Sequence, residues 1–346
     1  MTTSSYNFQG VQKKILAIVL AGGEGARLRP LTMTHAKPAL PFGGSFRLID
    51  FVLSNLVNSG IASIYLLAQY KPESLIDHVN ANWQFASEER GRFVKVVLPR
   101  HEHGGYFRGT ADAVHQNLAL IEDHAPDLVA VFAADHVYRM DVRQMVHYHL
   151  ERDADVTIAA TQVPIEHASS FGIIAAGHNG EVLDFQEKPD APIAVPFNPS
   201  RAYASMGNYL FNTEVLVEEL ARADRLGETD FGGHVFPRLI HNHHVHAYDF
   251  SGNVVPGVQP HEESAYWRDV GTLEAYVNAH QDIVGREPLF NLQNPFWPIL
   301  PASTPQPRAL SQKHHAHHEW GMRNSLPQAI GNTLLAQWDA MPVGHA

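Results

Sequence analysis

Cysteine is missing altogether from the 346 residues, which excludes disulfides, thiolate nucleophiles and zinc–thiolate centres from any account of the chemistry. No stretch of eighteen apolar residues occurs, so the sequence offers no segment of the length a membrane-spanning helix requires. The opening MTTSSYNFQG has none of the basic, apolar and small-residue zones of a secretory leader. Basic residues are short as well: 25 Lys and Arg against 36 Asp and Glu give a formal net charge of -11. A broad basic face able to displace counterions from a nucleic acid is therefore not expected. These deficits predict a soluble, cytoplasmic protein with neither nucleic-acid nor membrane partners, in which any phosphate is met by a local cluster of cations. No internal repeat is visible, and no run of hexapeptides of the β-helix kind.

The hydrophobic content of 45% suits one large α/β domain with an appendage. Short apolar runs at residues 15–20, 61–68, 93–98, 128–134 and 155–163 read as buried strands. Helical spacing of apolar residues separates them at 47–58, 110–122, 141–152 and 213–223. Strand alternating with helix predicts a doubly wound, mostly parallel sheet covered on both faces. Past residue 163 the pattern loosens, which predicts a mixed extension of the sheet that holds a substrate. After Pro298 the sequence turns rich in proline, serine and histidine and is expected to form an irregular tail over 299–346.

Directly after the first strand comes AGGEGARLRPLT, residues 21–32, where glycines leave backbone N–H groups free to close on phosphate oxygens. The loop matches neither common phosphate signature, since Leu28 stands where a dinucleotide fold wants its third glycine and no Gly-Lys-Ser/Thr follows. Glycines alone could make only a tight turn. Arg27 and Lys37 point further, because two cations just beyond such a loop could neutralise a triphosphate and its departing pyrophosphate. Asp135 follows an apolar run and so belongs at the carboxyl end of a strand, the ligand-binding edge of open α/β sheets. It could equally cap the next turn, as Asp269 could cap a helix beginning near Thr272.

LAGGEGARLRPLT, AKPALPFGG and FRLIDFVLSN resemble the bacterial ADP-glucose pyrophosphorylase (glucose-1-phosphate adenylyltransferase) family. FRGTADAVHQNL, FAADHVYRMD, FQEKP, ASMGNYLF, TDFGG and YWRDVGTLEAY follow in the family's order. Together they cover a catalytic domain over 12–298. The resemblance implies a nucleotide-diphospho-sugar transferase fold, ATP and glucose 1-phosphate as substrates, ADP-glucose for glycogen or other α-glucan synthesis as product, and Mg²⁺ as cofactor. It assigns Arg27, Lys37 and Asp135 to catalysis and both Asp135 and Asp269 to the metal. Leu20, Ala21, Gly22, Gly23, Gln69, Gly109, Thr110 and Asp135 are assigned to the nucleotide. Glu187, Lys188, Ser205, Tyr209, Asp230, Phe231 and Trp267 are assigned to the sugar phosphate. A substrate other than glucose 1-phosphate and a non-catalytic regulatory subunit are the rival readings. Retention of Arg27, Lys37, Asp135, Lys188 and Asp269 argues against the second, since folding alone would not demand all five.

Family members normally continue into a β-helix domain, and the stretch 299–346 reads as at most a remnant of its entrance. His35 stands where an arginine precedes AKPA and Ser45 where a lysine follows FGG. The expectation is a weakly activated monomer or homodimer, or a hetero-oligomer with a full-length homologue. The 23 histidines, clustered at 241–246 and 314–318, lack recognised zinc-ligand spacing and are expected to be solvated.

Overall fold

The computed structural model describes residues 5–8, 11–85, 91–100, 104–196 and 198–300. The stretch predicted as a tail therefore lies outside the described residues from 301 onward, as does the 314–318 histidine cluster. Its first two members, Ile299 and Leu300, are buried at 3% and 8% exposure.

The first half of the chain lays down β1 (Ser5–Phe8), β2 (Val11–Ala21), the small hairpin β3 (Pro41–Phe42) and β4 (Phe46–Arg47), β5 (Ser63–Ala68), β6 (Phe93–Val97), β7 (Leu128–Ala133) and β8 (His136–Tyr138). Helices α1 (Leu48–Asn58), α2 (Glu73–Asn82), α3 (Thr110–His115), α4 (Leu118–His124) and α5 (Val142–Glu151) lie between or after them. The second half adds β9 (Val156–Pro164), β10 (Gly172–Ala176), β11 (Val182–Glu187), β12 (Arg201–Asn212), β13 (Val245–Asp249) and β14 (Trp267–Asp269). Its helices are α6 (Thr213–Leu226), α7 (Phe236–Leu239) and α8 (Leu273–Gln281).

The main sheet runs β11-β10-β12-β7-β2-β5-β6, with β9 and β13 continuing outward from β12. Pairing among β7, β2, β5 and β6 is parallel, whereas β12 runs antiparallel to both β7 and β9. This is the predicted doubly wound sheet with its mixed extension. Strand β2 shows why it sits at the centre: Ile15, Ala17 and Val19 enter the core on one face, and Leu16 and Ile18 enter the core on the other. A strand buried on both sides reads as a continuous apolar run. From β2 the chain builds toward β5 and β6, then returns to place β7 on the opposite flank, so the β2/β7 boundary is the crevice where such sheets bind ligands.

One predicted helix is divided. The 110–122 segment forms α3 and α4, because Asn117 leaves helical geometry at φ -117°, ψ 19° and donates its side-chain amide to Ala113 O at 2.8 Å. Such local side-chain bonds compete with the helix ladder. A third apolar cluster joins Leu28, Phe42 and Phe51 of the first half to Tyr266, Tyr276 and Phe290 of the last. Leu300 N donates to Ser54 Oγ at 2.8 Å and Asn58 Nδ2 to Pro298 O at 2.9 Å, so the end of the described chain is fastened across α1. The third cluster, which includes Tyr266 and Val270, and the pairing of β14 with β8 hold the 266–271 segment beside the end of β7.

Candidate active site

Asp135 lies two residues beyond the end of β7, and Lys37 comes from a short helical turn after the glycine loop. Lys37 Nζ is 2.7 Å from Asp135 Oδ2 and 3.5 Å from Asp269 Oδ1. The pairing of β14 with β8 sets Asp269 directly opposite His136. His136 Nε2 then lies 3.7 Å from Asp135 and 3.9 Å from Asp269. Arg27 arrives from the loop itself. A Cβ built on Gly271 would be 3.1 Å from Arg27 Nη2 and 3.0 Å from Asp269 Oδ2, so the guanidinium and the carboxylate approach each other over that glycine. The loop is held from beneath. Gly25 has φ +67°, and a Cβ there would press on Thr32 Cγ2 at 3.0 Å and Lys37 Cβ at 3.1 Å. Glycine alone tolerates both demands.

The charges in this cluster are fixed by one another. Burial works to lower the Lys37 pKa, but the carboxylates of Asp135 and Asp269 reverse this and leave it above its ordinary value. Desolvation likewise works to raise Asp135, yet Lys37 foremost, with His136, holds its carboxyl down at about 2. An ammonium and a carboxylate therefore persist side by side across neutral pH. Two carboxylates share one ammonium. Among the described residues no group of three or more His, Cys, Asp or Glu side chains is placed to hold a metal, so an ion here would draw on these two carboxylates and on substrate oxygens. Hard oxygen donors with a shell completed by phosphate and water suit Mg²⁺, and the donor set fits the expected cofactor.

On the predicted nucleotide side, Leu20 and Ala21 end β2, and Gly22 and Gly23 open the loop. A Cβ on Gly23 would meet nothing within 4 Å, whereas one on Gly22 would meet the Gln69 side chain at 3.6 Å, so only Gly23 faces open space there. Gln69 follows β5 and uses its amide structurally: Nε2 donates to Gly22 O and Phe107 O, both at 3.2 Å, while Oε1 accepts from Phe107 N at 2.7 Å. It braces the glycine loop against the 107–110 segment. Gly109 is extended, and a Cβ there would sit 2.4 Å from Thr229 O. The Thr110 hydroxyl donates to Asp230 Oδ2 at 2.8 Å, a residue predicted for the sugar phosphate.

The residues predicted for the sugar phosphate gather beside this cluster. Strand β12 is bulged between Ser205 and Tyr209, and at that bulge Gly207 passes His136 Cε1, with 3.7 Å left for a Cβ. Burial, then the negative charges of Asp230 and Glu187 against the relief of a Ser205 hydrogen bond, push the Tyr209 hydroxyl well above the usual phenol range. Glu187 ends β11 and is bonded by the ammonium of Lys188. Its Oε2 sits where a Cβ on Gly232 would be only 2.4 Å away. Lys188 is exposed, with φ +46°, a left-handed backbone that is uncommon outside glycine. Asp230 caps the turn at 231–235 through Gly233 N at 3.0 Å. Phe231 is 1% exposed and lies in an aromatic core with Tyr209, Phe211 and Phe236, so its ring shapes the wall from behind. Trp267 stands edge-on to His136 with centroids 5.0 Å apart.

Of two further supports of the site, sequence reasoning left one open between a phosphate contact and a structural role, His136, and missed the other. His136 was visible as a neighbour of Asp135, but its place between two carboxylates depends on the β8–β14 register, set by residues about 130 apart. The carbonyl of Thr229, which accepts from Ala111 N and Asp112 N at 2.9 and 3.0 Å, leaves no side-chain signal at all. The 241–246 histidines are engaged in part, His243 lying 3.4 Å from Glu219 and 3.6 Å from Asp155.

The nucleotidyl transferase family matches residues 16–285. The chain is 54% identical over 291 residues to a glucose-1-phosphate adenylyltransferase of Thermodesulfovibrio yellowstonii, an overlap spanning 84% of this chain and 71% of the relative. It is 47% identical over 335 residues to that of Thermus caldophilus, spanning 94% and 78%. A Corynebacterium glutamicum glucose-1-phosphate adenylyltransferase is 48% identical over 289 residues, spanning 82% and 70%.

Proposed function

The chain belongs to the glucose-1-phosphate adenylyltransferases of the nucleotidyl transferase family, and we propose that it joins ATP and glucose 1-phosphate into ADP-glucose with release of pyrophosphate. The observation that carries this reading is the meeting of Lys37 with Asp135 and Asp269 at the β2/β7 crevice, 2.7 and 3.5 Å away. A phosphate oxygen of glucose 1-phosphate attacks the α-phosphorus of ATP in line. The bond from that phosphorus to the oxygen bridging to the β-phosphate breaks, and pyrophosphate departs with the electron pair. No covalent enzyme intermediate is involved. The protein supplies positioning and charge.

Arg27 and Lys37 neutralise the leaving pyrophosphate, and Lys37 is held cationic for that task by its two carboxylates. Asp135 and Asp269 would hold Mg²⁺, which would supply positive charge toward the phosphates. Leu20 to Gly23, Gln69 and Gly109 make the nucleotide wall. Lys188 takes the sugar phosphate, while Glu187, Ser205, Tyr209, Asp230 and Trp267 surround the glucose ring. No helix among the described residues is long and apolar enough to cross a membrane, and the cytoplasm, which holds both substrates, is the compartment this reading favours. Pyrophosphate release by the purified protein, measured across a panel of nucleoside triphosphates and sugar 1-phosphates with Mg²⁺, tests the proposal. ATP with glucose 1-phosphate should be the fastest pair. Another pair turning over faster overturns the substrate assignment, and no release from any pair overturns the enzymatic reading.

A further inference from the structure

The Thr110 hydroxyl has two partners in the structure, and both belong to the sugar side. It donates to Asp230 Oδ2 at 2.8 Å and accepts from Phe231 N at 3.0 Å. Asp230 spends its other oxygen, Oδ1, on Gly233 N at 3.0 Å. The carboxylate is thus clamped from two directions, by the first residue of α3 and by the turn that Asp230 itself caps. The backbone repeats the connection: Thr229 O accepts from Ala111 N and Asp112 N and packs so closely on Gly109 that no Cβ would fit. The amides of Ala111 and Asp112, which might have met a phosphate, are therefore occupied by protein.

We infer that Thr110 is a positioning residue for the sugar phosphate, fixing Asp230 and the turn behind it, and that its side chain is not a nucleotide ligand. The inference rests on the proposed reaction only in naming the sugar as glucose 1-phosphate. The hydroxyl's one proton is spent on Asp230 Oδ2, so none is left to donate to a phosphate oxygen, which can only accept. Without the hydroxyl, Asp230 Oδ2 loses its donor and Phe231 N its acceptor, and the loop carrying Asp230 can shift away from the position that meets the sugar. Its effect should appear in the affinity for the sugar phosphate and leave the triphosphate nearly untouched.

The test compares Thr110→Val, which keeps the shape and removes the hydroxyl, with Thr110→Ser, which keeps the hydroxyl. Apparent KM values for both substrates are measured on the pair that the wild-type enzyme turns over fastest, with thermal melts run alongside. Thr110→Val should raise KM for the sugar 1-phosphate about tenfold, roughly the cost of one lost hydrogen bond, while KM for the triphosphate stays within about twofold. Thr110→Ser should restore most of the loss. In an Asp230→Asn background Thr110→Val should add little, because the two act as one unit. A selective rise in the triphosphate KM, an equal rise in both, or no change overturns the positioning role while leaving the proposed reaction intact. If the wild-type enzyme prefers a different pair, the proposed reaction falls, and the KM split on that pair still decides the role of Thr110.

Discussion

Lys37 Nζ lies 2.7 Å from Asp135 Oδ2, and this contact ties the loop after β2 to the end of β7 across the crevice between them. The ammonium is 9% exposed and the carboxylate 30%, so the ammonium is largely withdrawn from bulk water while the carboxylate keeps an open side. Lys37→Met keeps most of the stem and deletes the charge. Turnover should fall on the order of 10²-fold or more, as when a preorganised electrostatic contact is removed. The Asp135 carboxyl, held at about 2 with Lys37 present, should then titrate higher. Its depressed value contributes stability that is present above the ordinary carboxylate range and lost as pH falls toward 2. Urea midpoints between pH 6 and 3 should therefore start lower in the variant and decline less steeply as the pH falls.

His149 provides a separate pH handle far from the reaction. It is 1% exposed, bonded to Thr157 Oγ1 at 2.8 Å and to Asn212 Oδ1 at 3.3 Å. Asn212 Nδ2 already donates to Ala154 O, so Oδ1 is an acceptor and His149 Nε2 must carry the proton. Burial lowers its pKa to about 4. The unfolded chain binds the proton more readily, so stability falls as pH drops from about 6.5 toward 4, by on the order of 3 kcal/mol in all. His149→Gln should flatten that limb of a denaturation series between pH 7.5 and 4.5, even if it lowers stability at neutral pH.

Two glycines should fail in different ways when replaced by alanine. At Gly109 the obstacle is the Thr229 carbonyl, 2.4 Å from the new Cβ, and backbone cannot step aside cheaply. Gly109→Ala should destabilise by roughly 1 to 3 kcal/mol, the range for overpacking. At Gly232 the obstacle is Glu187 Oε2, also 2.4 Å away, the far end of a flexible side chain. Gly232→Ala should melt within a few degrees of wild type yet raise KM for glucose 1-phosphate several-fold, because Glu187 must leave its place. Paired melts and kinetics distinguish the two.

Lys188 combines an exposed ammonium with a left-handed backbone at φ +46°. Lys188→Ala should raise KM for glucose 1-phosphate by about tenfold or more while that for ATP barely moves, consistent with loss of a charged contact to one substrate. Lys188→Gly should lose the same contact while fitting the left-handed conformation without a Cβ penalty. Equal sensitivity of both substrates would remove Lys188 from the sugar phosphate.

The central strands were legible because a strand buried on two faces must be apolar at every position, as residues 15–19 are. Helix α6 was legible from its spacing and stops where Gly227 takes φ +72°. The break between α3 and α4 was not, since Asn117 is compatible with either outcome until its neighbours are in place. The candidate site divided in the same manner. Loop, cations and the strand-end position of Asp135 follow from local pattern, whereas Asp269 reaches Asp135 only through strand pairing with β8. The family resemblance assigned Thr110 to the nucleotide, and the Asp230 carboxylate that its hydroxyl touches lies 120 positions later. Contacts across such separations leave no periodicity to read.

Asp135 is the residue on which the proposed reaction centre most directly depends. Asp135→Asn preserves the volume and removes the charge that faces Lys37 and His136. The decisive measurement is the rate of ADP-glucose and pyrophosphate formation from saturating ATP, glucose 1-phosphate and Mg²⁺, wild type against Asp135→Asn, with folding verified by circular dichroism. A folded variant slowed on the order of 10²-fold or more is the predicted result. A folded variant turning over at close to the wild-type rate would contradict the placing of the reaction centre at Lys37, Asp135 and Asp269.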